Sequence, residues 1–151
     1  MRHPARTLVS TLAGAVLLAA CTGAPAGPDL PDPAVLDPTL AQAEGFSGGA
    51  GGQVDPAADS NAYVGFHLPA GRYLLRVACT SIDGSTLTVT VAIDDVDLVS
   101  HTAECGTVDE DGYTALTSDS EAFDAPGGDV MTVGTANVAA SFNVGYIVVN
   151  D

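Results

Sequence analysis

From about residue 61 to its end the chain repeats one pattern: apolar residues at every second position, in short runs that each close on Gly, Pro, Asp or Ser. A period of two sends alternate side chains to opposite faces of an extended backbone, so each run reads as a half-buried strand. Leu87, Val89, Val91 and Ile93 are the cleanest case. Val64, Phe66 and Leu68 precede them, then Tyr73, Leu75, Val77 and Cys79 after the turn Leu68-Pro69-Ala70-Gly71. Val96 to His101 follows a tight turn at Asp94-Asp95, Tyr113 to Thr117 is a weaker strand, and Phe123 precedes the turn Ala125-Pro126-Gly127-Gly128. Val130 to Thr135 and Ser141 to Val149 read as a closing pair, with Phe142, Val144, Tyr146 and Val148 on one face. No window carries a helical period beyond one turn at Ala41 to Glu44.

Seven or eight short strands with turn signals between them predict an all-β fold. The expected architecture is a single small β-sandwich, jelly-roll or immunoglobulin-like. The three strands from Tyr73 to His101 run up, down and up, which brings Cys79 and the segment before Cys105 to one edge. Residues 41–151 are assigned to this domain. Before them, Thr22 to Thr39 holds Pro25, Pro28, Pro31, Pro33 and Pro38, a density that permits no packed periodic element. Residues 21–40 are therefore expected to be an extended, solvated tether. Taken as 20 to 40 residues, such a tether reaches roughly 25–40 Å as a flexible coil. Phe46 with Ser47-Gly48-Gly49-Ala50-Gly51-Gly52 is open between an irregular first strand and more linker.

The first 20 residues are of another kind. Arg2 and Arg6 precede an uncharged run from Leu8 to Ala20, thirteen residues long. That is too short to span a bilayer but suits the apolar core of a signal peptide. The run ends Leu18-Ala19-Ala20-Cys21, which resembles the lipobox of bacterial lipoproteins over all four positions. The resemblance implies that Cys21 receives a diacylglyceryl group, that residues 1–20 are removed, and that the mature chain sits on the outer side of a membrane, held in the bilayer by acyl chains on Cys21. Farther on, Phe66 to Leu75 resembles the strand–turn–strand of secreted jelly-roll modules, including pre-peptidase C-terminal-type domains. Such modules are mostly accessory or binding domains, and that resemblance carries no catalytic residue.

Charge narrows the partners. Nineteen Asp and Glu face four arginines and no lysine; without residues 1–20 only Arg72 and Arg76 remain, for a formal charge of −17. Phosphate backbones are bound through Lys and Arg, so a nucleic-acid partner is not expected. With Cys21 lipidated, Cys79 and Cys105 are left in a compartment that permits oxidation and are expected to form a disulfide.

Little in the sequence points to catalysis, and neither enzyme activity nor a cofactor is expected. Gly45-Phe46-Ser47-Gly48-Gly49 matches the nucleophile pattern G-x-S-x-G, but that motif works at a sharp strand-to-helix turn, and glycines follow Ser47 here. His67 and His101 are the only histidines after processing and show no zinc-ligand spacing. Asp94, Asp95 and Asp97, and Asp109 and Asp111, are loop carboxylates of the kind calcium prefers, although neither group has EF-hand spacing. Tyr63 and Tyr113 are the candidate rings for sugar stacking. The expected function is a membrane-anchored, non-catalytic binding or interaction module for an envelope protein or glycan. The alternative is a calcium- or carbohydrate-binding accessory module.

Overall fold

Alternation in the sequence becomes alternation in burial. Along Leu87–Ile93 the odd-numbered residues are buried and the even-numbered ones half-exposed. The computed structural model describes residues 29–58 and 62–150. Its strands are β1 (Phe46–Val54), β2 (Ala62–Leu68), β3 (Gly71–Ser81), β4 (Leu87–Ile93), β5 (Val96–Ala103), β6 (Gly106–Asp109), β7 (Gly112–Tyr113), β8 (Leu116–Asp119), β9 (Phe123–Ala125), β10 (Gly128–Ala136) and β11 (Ala140–Val148). Helical structure among the described residues is limited to 3-10 turns at Pro33–Val35, Leu40–Gln42 and Pro56–Ala58.

The strands form two packed sheets. One runs β1-β11-β3-β6-β7, with β8 and β9 also paired to β3; the other runs β2-β10-β4-β5. First and last strands are thus neighbours in one sheet, and second and penultimate strands neighbours in the other. That is the connectivity of a jelly roll rather than an immunoglobulin-type sandwich. Between the sheets lie Leu75, Val77, Leu87, Val89, Val91, Phe142, Val144 and Tyr146, all fully buried. Burial of this kind contributes about 1.5–3 kcal/mol for each large side chain.

Three expected local pairings do not form. β10 and β11 lie in different sheets: β10 bonds to β2 and β4, and β11 to β1 and β3. The turn Pro69-Ala70 is likewise a corner between sheets, tied by Tyr73 Oη donating to the Pro69 carbonyl at 2.9 Å. β3 does not pair with β4, so the chain crosses to the second sheet after Ser81 and returns after Ala103. The Cys79–Cys105 disulfide spans that return, with 4.8 Å between Cα atoms.

The glycine run is a strand. β1 pairs antiparallel with β11 from Phe46↔Ile147 to Val54↔Ala140. Its glycines serve close packing. A Cβ on Gly51 would stand 2.8 Å from Pro33 Cβ, and one on Gly145 of β11 would stand 2.6 Å from Leu40 Cδ1. Residues 30–40, expected to be solvated tether, therefore lie with Ala41 and Gln42 as a strap on the outer face of this sheet. Leu36 and Leu40 are buried there. Gln53 Nε2 donates to the carbonyls of Leu30 and Pro31 at 3.3 and 3.1 Å, and Ser141 Oγ donates to Pro31 at 2.8 Å. On the same sheet, Ser141, its cross-strand neighbour Thr80, and Ala78 are fully buried.

The sandwich has two poles. At the entry pole, beside Pro31, Val54 pairs with Ala140, Ala140 with Ser81, and Ala136 with Leu87. At the far pole are Val148 with Tyr73, Gly71 with Ala125, and Gly128 with Leu68.

Candidate functional site

The two outer sheet faces differ, because only one is covered. On β2-β10-β4-β5 the inward positions Leu87, Val89, Val91, Val130 and Thr132 are buried, so Thr88, Thr90, Met131, Val133 and Thr135 point outward. β5 adds Ser100 and Thr102, opposite Thr90 and Thr88. Hydroxyls pair across the strands, Thr88 with Thr102 at 3.0 Å and Thr90 with Ser100 at 3.1 Å. Such cross-strand pairs stabilise the ladder by a few tenths of a kcal/mol to about 1 kcal/mol. Met131 is 52% exposed in the middle of the face. Charge is confined to the far-pole rim, where His67 Nδ1 lies 3.0 Å from Asp129 Oδ1 and Asp97 sits opposite Ala92. In a chain of net charge −15, this is a broad uncharged surface.

The other sheet offers two grooves along its strap. One of about 460 Å³ lies between Pro33, Asp37 and Leu40 on one side and Phe46, Gly51 and Asn143 on the other. A second, of about 830 Å³, lies between Asp29-Leu30-Pro31 and the β6–β7 hairpin with Glu110 and Tyr113. Tyr113, expected as a sugar platform, donates its hydroxyl to the Val35 carbonyl at 3.2 Å. Tyr63 is backbone-paired with Val133, and its side chain lies outside the described residues, as does Cys21.

The acidic turns do not converge. Asp94 and Asp95 form the β4–β5 turn at the far pole, with φ of 50° and 63°. Asp109 and Asp111 lie in the β6–β7 hairpin at the entry pole, where Asp109 Oδ1 accepts the Asp111 amide at 2.9 Å. Calcium needs six or more oxygens around one point. Among the described residues no group of three or more His, Cys, Asp and Glu is placed to hold a metal. The carboxylates of each turn instead face solvent.

Ser47 is exposed on β1, inside a strand rather than at a strand-to-helix turn. One serine–histidine contact escaped the sequence reading: His101 Nε2 lies 2.9 Å from Ser118 Oγ. A nucleophile with its base has this spacing, but the base also needs a group to orient it. The nearby carboxylate, Asp119, is engaged twice by Arg76, at 2.8 and 2.7 Å. Those bonds hold the Asp119 carboxyl below its ordinary range. The contact ties β5 to β8 between the two sheets, and nothing in the alternation of either strand signals it.

The chain matches no family model, and no curated protein is similar to it.

Proposed function

We propose that this protein is a bacterial envelope lipoprotein, anchored through acylated Cys21, whose jelly roll is a non-catalytic binding module. The reading of the anchor rests on Leu18-Ala19-Ala20-Cys21 and the apolar run before it. The disulfide supports it, since such a bond suits an oxidising compartment and leaves Cys21 as the third cysteine. The observation that carries the binding role is the asymmetry of the two faces. The strap closes one sheet, while the other presents a face of hydroxyl and aliphatic groups whose charge is confined to its far-pole rim. Interfaces are depleted of charge at their centres, and a sheet face of this composition fits a protein partner.

Site-specific photo-crosslinking in cells tests this reading. A photoreactive residue at Thr90 or Met131 is expected to give a reproducible protein adduct, and one at exposed Ser47 is not. Equal adducts from all three positions, or none from the open face, would overturn it. Cys21→Ser is expected to abolish acylation, seen as the loss of the lipid mass from the purified protein.

A further inference from the structure

Given the lipid anchor proposed above, we infer that the domain stands upright on its bilayer, with the entry pole toward the lipid and its acidic hairpin holding it off an anionic surface. The first part follows from chain length. The strap is pinned at Leu30 and Pro31 by Gln53 and Ser141, so only nine residue steps separate Cys21 from the folded body. At no more than about 3.3–3.6 Å per residue, the entry pole can stand at most about 30 Å from the anchor. β3 has eleven residues, and at about 3.3 Å of rise each the far pole lies some 30–35 Å beyond. A domain held at one end by so short a link presents that end to the membrane. The open face of β2-β10-β4-β5 then stands along the membrane normal, accessible from the side.

The second part follows from charge. Asp83 and Glu104 lie at the entry pole, where β3 and β5 end. The β6–β7 hairpin runs parallel to β3 and past its end, carrying Asp109, Glu110 and Asp111 beside Asp29. Among the described residues no arginine or histidine accompanies them. Arg72 lies opposite Asp124 in the far-pole strand register, Arg76 binds Asp119, His67 contacts Asp129, and His101 lies opposite Val89 in mid-strand. Anionic headgroups repel such a surface over roughly a Debye length, about 10 Å at 0.1 M salt and about 3 Å at 1 M. That range is shorter than the link, so the pole is held off without the anchor being strained.

The test uses the full lipidated protein in vesicles. With Cys21 acylated and the other cysteines bridged, an introduced cysteine is the one reactive thiol, and Asn137→Cys (entry pole) and Ala70→Cys (far pole) are both exposed turn positions. Each is labelled with a fluorescent donor, and energy transfer to an acceptor-labelled lipid is measured; Thr86→Cys is a second entry-pole site should Asn137→Cys fold poorly. In phosphatidylcholine vesicles, transfer from residue 137 is expected to exceed that from residue 70 about three-fold or more, given the ~30 Å of strand rise between the poles. Adding phosphatidylglycerol at low salt is expected to weaken transfer from residue 137, and molar salt to restore it. Equal transfer from both poles, a reversed order, or no response to lipid charge would overturn the inference. The mass of the same sample reports the lipid on Cys21 separately, so loss of the anchor reading is distinguished from loss of the upright pose.

Discussion

Tyr146 shows how a polar atom enters a β core. Its ring lies fully buried against Phe66, with centroids 5.0 Å apart, and its hydroxyl bonds to that of Thr132 on the opposite sheet. Burial pushes the phenol up to about 12. A neutral acid with a raised folded-state value stabilises the fold fully below its unfolded value, about 10. That contribution falls away as pH rises from about 10 through 12, by an amount on the order of 2–3 kcal/mol. Alkaline titration followed by near-UV circular dichroism should therefore show a loss of structure in that window. Tyr146→Phe should remove the dependence and cost about 1–2 kcal/mol at neutral pH, because Thr132 is left without its partner. Thr80 is the opposite case. It is fully buried on the strap side, and its hydroxyl has no hydrogen-bond partner among the described residues. Thr80→Val keeps the shape and removes an unsatisfied donor, so it should stabilise by about 1 kcal/mol or more, read as a raised Tm.

Among the elements, the strap changes where the domain begins. Its apolar contacts are few but well placed, with Leu36 and Leu40 buried and Leu40 seated on the bare backbone of Gly145. A chain that starts at residue 43 would uncover Gly145 and leave the buried Ser141 hydroxyl without Pro31. It should be less stable than one starting at residue 29 by several kcal/mol in urea titration, and Leu40→Ala alone should cost about 2–4 kcal/mol. Equal midpoints would show the strap to be ornamental. The sequence concealed this element for a physical reason. Its two buried leucines are spaced by loop geometry rather than by a strand or helix period, and its prolines break hydrogen-bond ladders without preventing packing. β1 was hidden in the same way, since glycine contributes nothing to a hydropathy pattern even where a strand needs it for close approach.

For the whole molecule, the disulfide is the link that closes the excursion into the second sheet. Cys79 ends its run on β3, the β4–β5 hairpin belongs to the other sheet, and Cys105 returns beside β6. With the cysteines 26 positions apart in sequence, replacing both by serine should lower stability by roughly 3–4 kcal/mol in the chain-entropy model. Differential scanning calorimetry under reducing and non-reducing conditions should show the same fall in Tm for the unsubstituted protein and none for the variant. What the sequence determined by itself was local: which residues are extended, which face of each strand is apolar, and that the class is all-β. Period-two alternation states these directly, because it is a property of neighbouring residues. The proximity of Cys79 and Cys105 was also legible, since strand direction reverses at each turn whichever sheet the strand joins. Only the tertiary structure decided the pairing of β10 with β2 and β4 rather than with β11, the seating of the strap, and the meeting of His101 with Ser118. A turn between two strands reads alike whether it makes a hairpin or carries the chain across the core. The choice is made by the burial of both sheets at once, and that is a property of the whole chain.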